Sequence, residues 1–188
     1  MGRLQGDWNS ALTLVGFPYV CGYCQRAVGG DKGYVIHQHW QAGHIRICPV
    51  CNRPSFFEQG KQYPGVPFGE ALQNLPQDVE ALYDEARRAA GAGAYTAAVL
   101  AARKILMHVA VEKKADQNKS FEFYVTYLDT KGYIPPNGKD WVDEIRKRGN
   151  DANHEILVMT AQDAEMVLTF VEMLLKIVYE FPAKVPKP

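Results

Sequence analysis

The stretch CGYCQRAVGGDKGYVIHQHWQAGHIRICPVC, residues 21–51, decides how the first part of this chain folds. It begins with the pair Cys21/Cys24 and ends with the pair Cys48/Cys51, and 23 residues separate the two pairs. Paired cysteines at this separation are typical of tetrahedral sites in which four thiolates hold a zinc ion. We therefore predict that all four cysteines bind one Zn²⁺. Four thiolates leave no position for water, so the predicted ion is structural.

The chain between the two pairs alternates as a β-strand does. In GYVIHQHW, residues 33–40, the side chains of Val35, His37 and His39 fall on one face of a strand. HIRIC, residues 44–48, is interpreted as the returning strand. The sequence thus predicts a zinc ribbon, in which two cysteine turns close one end of a small antiparallel sheet. Replacement of one cysteine ligand by a histidine of the strand is a less favoured alternative.

Composition sets limits on the partners and the compartment. The 188 residues carry a formal net charge of zero, so any site for a polyanion is a local patch. The N-terminus does not resemble an export signal, and two Cys-x-x-Cys pairs then indicate metal binding in a reducing compartment. We expect a cytoplasmic protein. No apolar run approaches about 18 residues, so no membrane partner is expected.

Composition changes near residue 60, and this change predicts the domain organisation. Residues 1–60 form the zinc ribbon with an N-terminal extension. Residues 61–75 are rich in proline and glycine and are interpreted as a linker. Residues 76–182 show helical periodicity and are predicted to form a bundle of about five helices, followed by a tail over 183–188. The predicted fold class is therefore mostly α, with a small antiparallel β-unit at the start.

Helix boundaries follow from capping residues and glycines. The first helix begins at Pro76 and stops at Gly91, and the second spans roughly 95–115. The third begins at a Ser120 cap and the last runs from about Ala161, behind a Thr160 cap, to Phe181. A fourth helix begins near Lys139, with inward-facing side chains predicted at Trp141, Val142 and Ile145.

The predicted ribbon carries a mild surplus of cations. Its first 60 residues contain five arginines or lysines and three acidic residues, a formal charge of +2. Arg26, Arg46 and Arg53 are the predicted nucleic-acid contacts. Aromatic side chains in the predicted ribbon can stack on bases or can fill a small core. We expect at least half of them to fill the core. The residues concerned are Tyr19, Tyr23, Trp40, Phe56 and Phe57.

The segment EIRKRGNDANHE, residues 144–155, concentrates polar side chains around a helix-breaking glycine. An arginine offers a planar fork of donors to phosphate, and a histidine titrates near neutral pH and can move protons. Such a pair suffices in principle to cleave RNA without a metal, and we predict Arg148 and His154 as the candidate pair, with Asn150 as a positioning residue and Arg146 as a further phosphate contact. The alternative is structural, with the same side chains satisfying backbone groups at a helix junction.

The helical half resembles the HEPN superfamily, whose members are small helical bundles with an Arg-x(4–6)-His motif. Five residues separate Arg148 from His154, which fits that motif. NLPQDVEALYDEARRAAGAGAYTAAVLAARKIL, residues 74–106, followed by DEIRKRGNDANHE, residues 143–155, is similar to a domain-of-unknown-function branch of the superfamily. That branch occurs in bacterial restriction and phage-defence proteins, sometimes behind a zinc ribbon. The resemblance covers about residues 15 to 180.

The resemblance implies a homodimer formed through the helical domain, in which two motifs meet in one composite cleft. In active members it implies a metal-independent endoribonuclease of a defence or toxin–antitoxin type. A polar residue usually follows the motif arginine, whereas Gly149 follows Arg148 here. A non-catalytic adaptor or assembly module, binding protein or nucleic acid, therefore stays open as the second hypothesis.

Overall fold

The protein is described by a computed structural model, which covers residues 2–36, 42–135, 141, 143–145 and 158–185. The chain divides into two compact units, with the boundary between Pro67 and Phe68. The first unit is built of strands and the second of helices. This confirms the predicted fold class, a mostly α protein with a small antiparallel β-unit at its start.

The first unit is one five-stranded antiparallel sheet in which each strand pairs with the next along the chain. Its strands are β1 (Leu12–Val20), β2 (Ala27–Val35), β3 (His44–Ile47), β4 (Pro54–Glu58) and β5 (Lys61–Tyr63). The last strand lies within residues 61–75, the segment predicted to be a linker. Three residues with one tyrosine carry too little alternation to indicate a strand, and β5 forms because it pairs with β4.

A glycine in β2 fixes the close approach of β2 and β3. Gly33 pairs with Arg46, and a Cβ atom on Gly33 would lie 1.8 Å from the carbonyl oxygen of Ile45. No side chain fits at that distance, so the sequence tolerates only glycine there. Gly29, in the same strand, has open space around its Cβ position.

We expect Gly33→Ala to break the pairing of β2 with β3, at a cost of about 3 kcal/mol or more, because the strands have to move apart. Hydrogen–deuterium exchange of the backbone amides in β2 and β3 measures this directly, as faster exchange. The control is Gly29→Ala, which we expect to change exchange little. Equal exchange in the two variants would contradict the prediction.

Among the described residues, the second unit shows four longer helices and one short helix near the C-terminus. They are α1 (Gln77–Gly91), α2 (Tyr95–Glu112), α3 (Phe121–Thr130), α4 (Ala161–Leu175) and α5 (Phe181–Lys184). A π-helical turn, Lys176–Glu180, joins α4 to α5, where the sequence predicted one continuous helix. Trp141 and residues 143–145 are also helical. None of the helices in the described part of the chain is long and apolar enough to cross a membrane.

Two of the helices begin at the capping residues that were predicted from the sequence. The Ser120 hydroxyl accepts the N–H of Phe123 at 3.2 Å. At the start of α4, Thr160 and Asp163 form a reciprocal capping box. The core between the helices is dominated by small and branched apolar side chains, and its fully buried members in α2 and α4 include Ala98, Val99, Ala102, Leu106, Val109, Phe170, Val171 and Leu174.

The helical unit begins with a segment without regular secondary structure, Phe68–Leu75, that polar side chains hold against the helices; we call it the strap. Arg87, 1 % exposed, donates to the carbonyl oxygens of Phe68 at 2.7 Å and Gly69 at 2.8 Å. Glu172 accepts the N–H of Glu70 at 3.0 Å. Residues from 68 onward were predicted to be linker, and these bonds make them part of the helical unit instead.

Candidate metal centre

The two Cys-x-x-Cys pairs meet at one end of the sheet, as their spacing predicts. The four sulfur atoms lie within 4.8 Å of one another. The Sγ atoms of Cys21 and Cys51 are 3.6 Å apart, and those of Cys24 and Cys48 are 3.7 Å apart. A tetrahedron with Zn–S bonds of about 2.3 Å has edges of about 3.8 Å. All four cysteines are free thiols, so this donor set fits one tetrahedral metal ion.

The two cysteine turns share the same backbone geometry. In each turn, the backbone N–H of the first cysteine donates to the carbonyl oxygen of the residue five positions later. The carbonyl oxygen of the same cysteine accepts from the N–H of the residue four positions later. The residue after the second cysteine has a left-handed backbone, at φ 58° in both Gln25 and Asn52. The bonds run from Cys21 to Arg26 at 3.0 Å, from Gln25 to Cys21 at 2.8 Å, from Cys48 to Arg53 at 3.0 Å, and from Asn52 to Cys48 at 2.8 Å.

Burial disfavours the thiolate forms of two of the four cysteines. Burial raises the pKa of Cys21 to about 12 and also raises the pKa of Cys48. Burial acts in the same direction on Cys51, but the backbone N–H of Arg53 and bonds from the other thiols hold the pKa of Cys51 below its usual range. Only Cys24 is half-buried. A divalent cation bound here would stabilise all four sulfurs as thiolates and would release the protons of those that are protonated.

Different segments cover the two turns. The first turn lies under the chain at Pro64 and Gly65. A Cβ atom on Gly22 would stand 2.3 Å from the Pro64 carbonyl oxygen, so only glycine fits inside this turn. Gln62 holds the same region by donating its amide to the carbonyl of Val20 at 2.9 Å.

The second turn lies under residues 2–9, which we call the arm. The N–H of Leu4 donates to the Cys51 carbonyl at 2.9 Å. Asn52 donates its side-chain amide to the carbonyls of Leu4 at 3.0 Å and Gly6 at 2.8 Å, and its own carbonyl accepts the indole N–H of Trp8 at 3.0 Å. The arm is therefore built into the metal centre. The arm was not predicted, although the shared pattern C-x-x-C-[QN]-R marks Asn52 as a position with a special backbone.

Of the aromatic side chains predicted to stack on bases, two lie in the core of the β-unit and two lie nearer its surface. Tyr19 and Phe57 are buried, 9 % and 8 % exposed, and pack edge to face at 5.1 Å in the small core behind the cysteines. Tyr23 lies under the Arg53 guanidinium. Phe56 is half-buried and stacks on Tyr63, which is 49 % exposed. Trp40 lies outside the described residues. The histidines of the alternative ligand set, His37 and His39, lie outside them as well.

The three arginines predicted to contact nucleic acid occupy different environments. Arg46 is 5 % exposed and donates to the carbonyl oxygens of Val15 at 2.8 Å and Gly30 at 3.3 Å. This placement corrects the prediction for Arg46, because its guanidinium supports the β1–β2 hairpin from inside. Arg53 is half-buried and donates to the Gly2 carbonyl at 2.7 Å. Arg26 is exposed.

The polar residues of the helical half, Arg146, Arg148, Asn150 and His154, lie outside the described residues. The residues just before them are in the core. Ile145 is 1 % exposed, and the Trp141 ring packs edge to face on Phe170 at 5.2 Å. Both side chains face inward, as the sequence predicts.

Comparison with known proteins gives one match. Residues 84–187 match the model of a family described as "Domain of unknown function (DUF4145)". No curated protein and no solved structure matches the chain. The matched range covers more than half of the chain and contains α2, α3, α4 and the segment EIRKRGNDANHE. The chain therefore belongs to the DUF4145 family of domains of unknown function.

Proposed function

We propose that Cys21, Cys24, Cys48 and Cys51 hold one structural Zn²⁺, and that the protein binds RNA and cleaves it without a catalytic metal. The sulfur geometry supports the zinc site, because its distances suit Zn–S bonds of ordinary length. Unbridged cysteines suit a reducing compartment, and we place the protein in the cytoplasm.

We assign the helical unit to the HEPN superfamily and the chemistry to Arg148 and His154. The observation that carries this proposal is the five-residue spacing between them, inside the range that matches the family model. The 2′-hydroxyl oxygen of RNA attacks the adjacent phosphorus, the bond from phosphorus to the 5′-oxygen breaks, and a 2′,3′-cyclic phosphate and a 5′-hydroxyl result. His154 assists the proton transfers, Arg148 and Arg146 bind the phosphate charge, and Asn150 positions it. A homodimer formed through the helical unit brings two motifs into one cleft.

A surface on the β-unit supports contact with single-stranded RNA. Cross-strand pairing puts Tyr34, Ile45, Phe56 and Tyr63 in one row across four strands. Residues 1–67 contain six arginines or lysines and three acidic residues, a formal surplus of +3. Stacking of bases on exposed rings, with cations nearby, is how sequence-tolerant proteins hold single strands.

The test is incubation of end-labelled RNA with the zinc-loaded full-length protein, without added divalent metal and with EDTA. Arg148→Ala and His154→Ala are expected to lower the cleavage rate by about 10² or more, because they remove the charge-stabilising and proton-transferring groups. The products of the wild type are expected to end in cyclic phosphate. Zinc content is measured after the EDTA step, so that loss of the β-unit is not mistaken for loss of catalysis.

The control variant is Arg88→Ala, since Arg88 is an arginine of the same unit whose side chain is 62 % exposed. It is expected to cleave at the wild-type rate. Absence of cleavage across a broad RNA panel, or equal loss in all three variants, would contradict the enzyme proposal.

An adaptor that binds a protein partner is the second candidate. The observation that favours it is the apolar surface of the β-unit, where Val15 is 88 %, Ile36 is 51 % and Leu12 is 50 % exposed. Binding of RNA without cleavage, or no RNA binding at all, is the outcome that this reading predicts for the same RNA panel.

A further inference from the structure

We propose that Arg3, in the arm, strengthens metal binding at Cys48 by polarising the peptide group between Val50 and Cys51 in the second cysteine turn. Arg3 Nη1 donates to the carbonyl oxygens of Pro49 at 2.7 Å and Val50 at 2.9 Å. The inference rests on the metal part of the proposed function and is independent of RNA. Arg3 thereby tunes metal binding at Cys48, which lies 45 positions later in the chain.

One of these two peptide groups donates to the sulfur of Cys48. The Val50 carbonyl and the N–H of Cys51 belong to the same peptide group, and the Cys51 nitrogen lies 3.5 Å from Cys48 Sγ. This peptide group therefore has the guanidinium at its oxygen and the sulfur at its hydrogen. The Pro49 carbonyl, in the peptide group before it, accepts from the same guanidinium.

Hydrogen bonds connected through one peptide group strengthen each other, by about 10–30 % per bond. Donation from a charged guanidinium to the carbonyl makes the N–H on the other side of the peptide a better donor. The N–H···S bond from Cys51 stabilises the negative charge that a metal-bound Cys48 sulfur carries. Arg3 thus favours the metal-bound state although it does not touch the metal ligand.

The first turn provides an internal comparison. There, Cys24 occupies the position that Cys51 has in the second turn, and the backbone hydrogen bonds of the two turns match. Within the residues that the structure describes, no side-chain donor reaches the carbonyl oxygens of Gly22 or Tyr23, so this relay is specific to the second turn. Arg26 is an exposed arginine of the first turn and therefore serves as a control of equal charge.

The test measures zinc affinity of the full-length protein in competition with a chromophoric chelator, at fixed salt and under reducing conditions. Residues that support metal ligands change affinity by about 10- to 100-fold when mutated. Arg3 is exposed, so we expect Arg3→Ala to weaken zinc binding by about tenfold, at the lower end of this range. Arg3→Lys keeps a charged donor but places it on a shorter side chain, and an intermediate loss is expected. Arg26→Ala is expected to stay within about twofold of the wild type.

Cobalt(II) substitution separates an effect on affinity from a change of ligands. The thiolate-to-cobalt charge-transfer absorption is expected to be the same in all variants, because Arg3 is not a ligand. The inference would be overturned if Arg3→Ala bound zinc as tightly as the wild type. It would also be overturned if Arg3→Ala and Arg26→Ala lost the same affinity. Either result would leave the four-thiolate site intact. A wild-type protein without tetrahedral cobalt absorption would overturn the metal site and this inference together.

Discussion

Replacement of Cys48 by serine is expected to unfold the β-unit and to leave the helices of the second unit in place. Removing one thiolate from a closed four-thiolate site removes most of the metal-binding free energy, which is about 10 kcal/mol or more for structural zinc. The β-unit has little to replace it, because its buried cluster consists of Tyr19, Phe57 and three of the cysteines themselves. Helical circular dichroism arises from the second unit and is expected to persist.

The measurements are zinc stoichiometry and backbone amide dispersion of residues in β1–β5. The wild type is expected to bind one zinc ion, and Cys48→Ser to lose both the ion and the dispersed β-unit signals. Ser55→Ala is the matched control, because Ser55 is fully buried and its hydroxyl has no partner within the described residues. Its removal is expected to be neutral or slightly stabilising. A Cys48→Ser protein with intact sheet signals and no metal would show that the strands fold without the ion.

Replacement of Arg87 by methionine is expected to destabilise the helical unit by about 3 kcal/mol. Methionine keeps most of the buried volume but removes the donors, so the Phe68 and Gly69 carbonyls lose their partners. Asp84, which is 3.1 Å from Arg87 Nη1, is partly exposed and can turn to water, so the lost ion pair contributes less. Most of the loss therefore comes from release of the strap.

Urea unfolding followed by helical circular dichroism measures this change. Arg88→Ala, at the neighbouring position, is expected to change the free energy of unfolding by less than about 0.5 kcal/mol, because Arg88 is exposed and its contact to Asp84 is 4.0 Å long. Faster amide exchange in the strap of Arg87→Met is expected as well. Similar stability of the two variants would show that the strap is held by its apolar residues, such as Leu72, and not by the guanidinium.

The parts of the fold that the sequence predicts are those with local signals. Spacing alone identified the four cysteines, because two tight turns oblige their sulfurs to converge. Capping residues located Ser120 and Thr160, because a cap and its helix are adjacent in the chain. The strap and β5 were interpreted as linker, since their order comes from partners far away in sequence and not from periodicity.

The wrong prediction for Arg46 has a similar explanation. Arginine is usually exposed, so Arg46 was interpreted as a surface contact. Its side chain donates to the Val15 carbonyl, which lies in the β1 irregularity between Thr13 and Phe17. Gly16 in that stretch is a signal for a bulge, but it does not indicate which distant side chain the bulge accommodates. The contribution of Arg3 was missed for the same reason, since its acceptors are carbonyl groups about 46 residues away.

The cation surplus of the β-unit also affects how the protein behaves in ordinary buffers. Residues 68–188 contain 15 arginines or lysines and 18 acidic residues, a formal charge of −3 that cancels the +3 of the β-unit. The isoelectric point near 7 is therefore a balance between oppositely charged halves. Cation and anion exchangers can each retain such a chain at neutral pH, through different halves. Its solubility is expected to rise with added salt, which screens attraction between the acidic half of one molecule and the basic half of another.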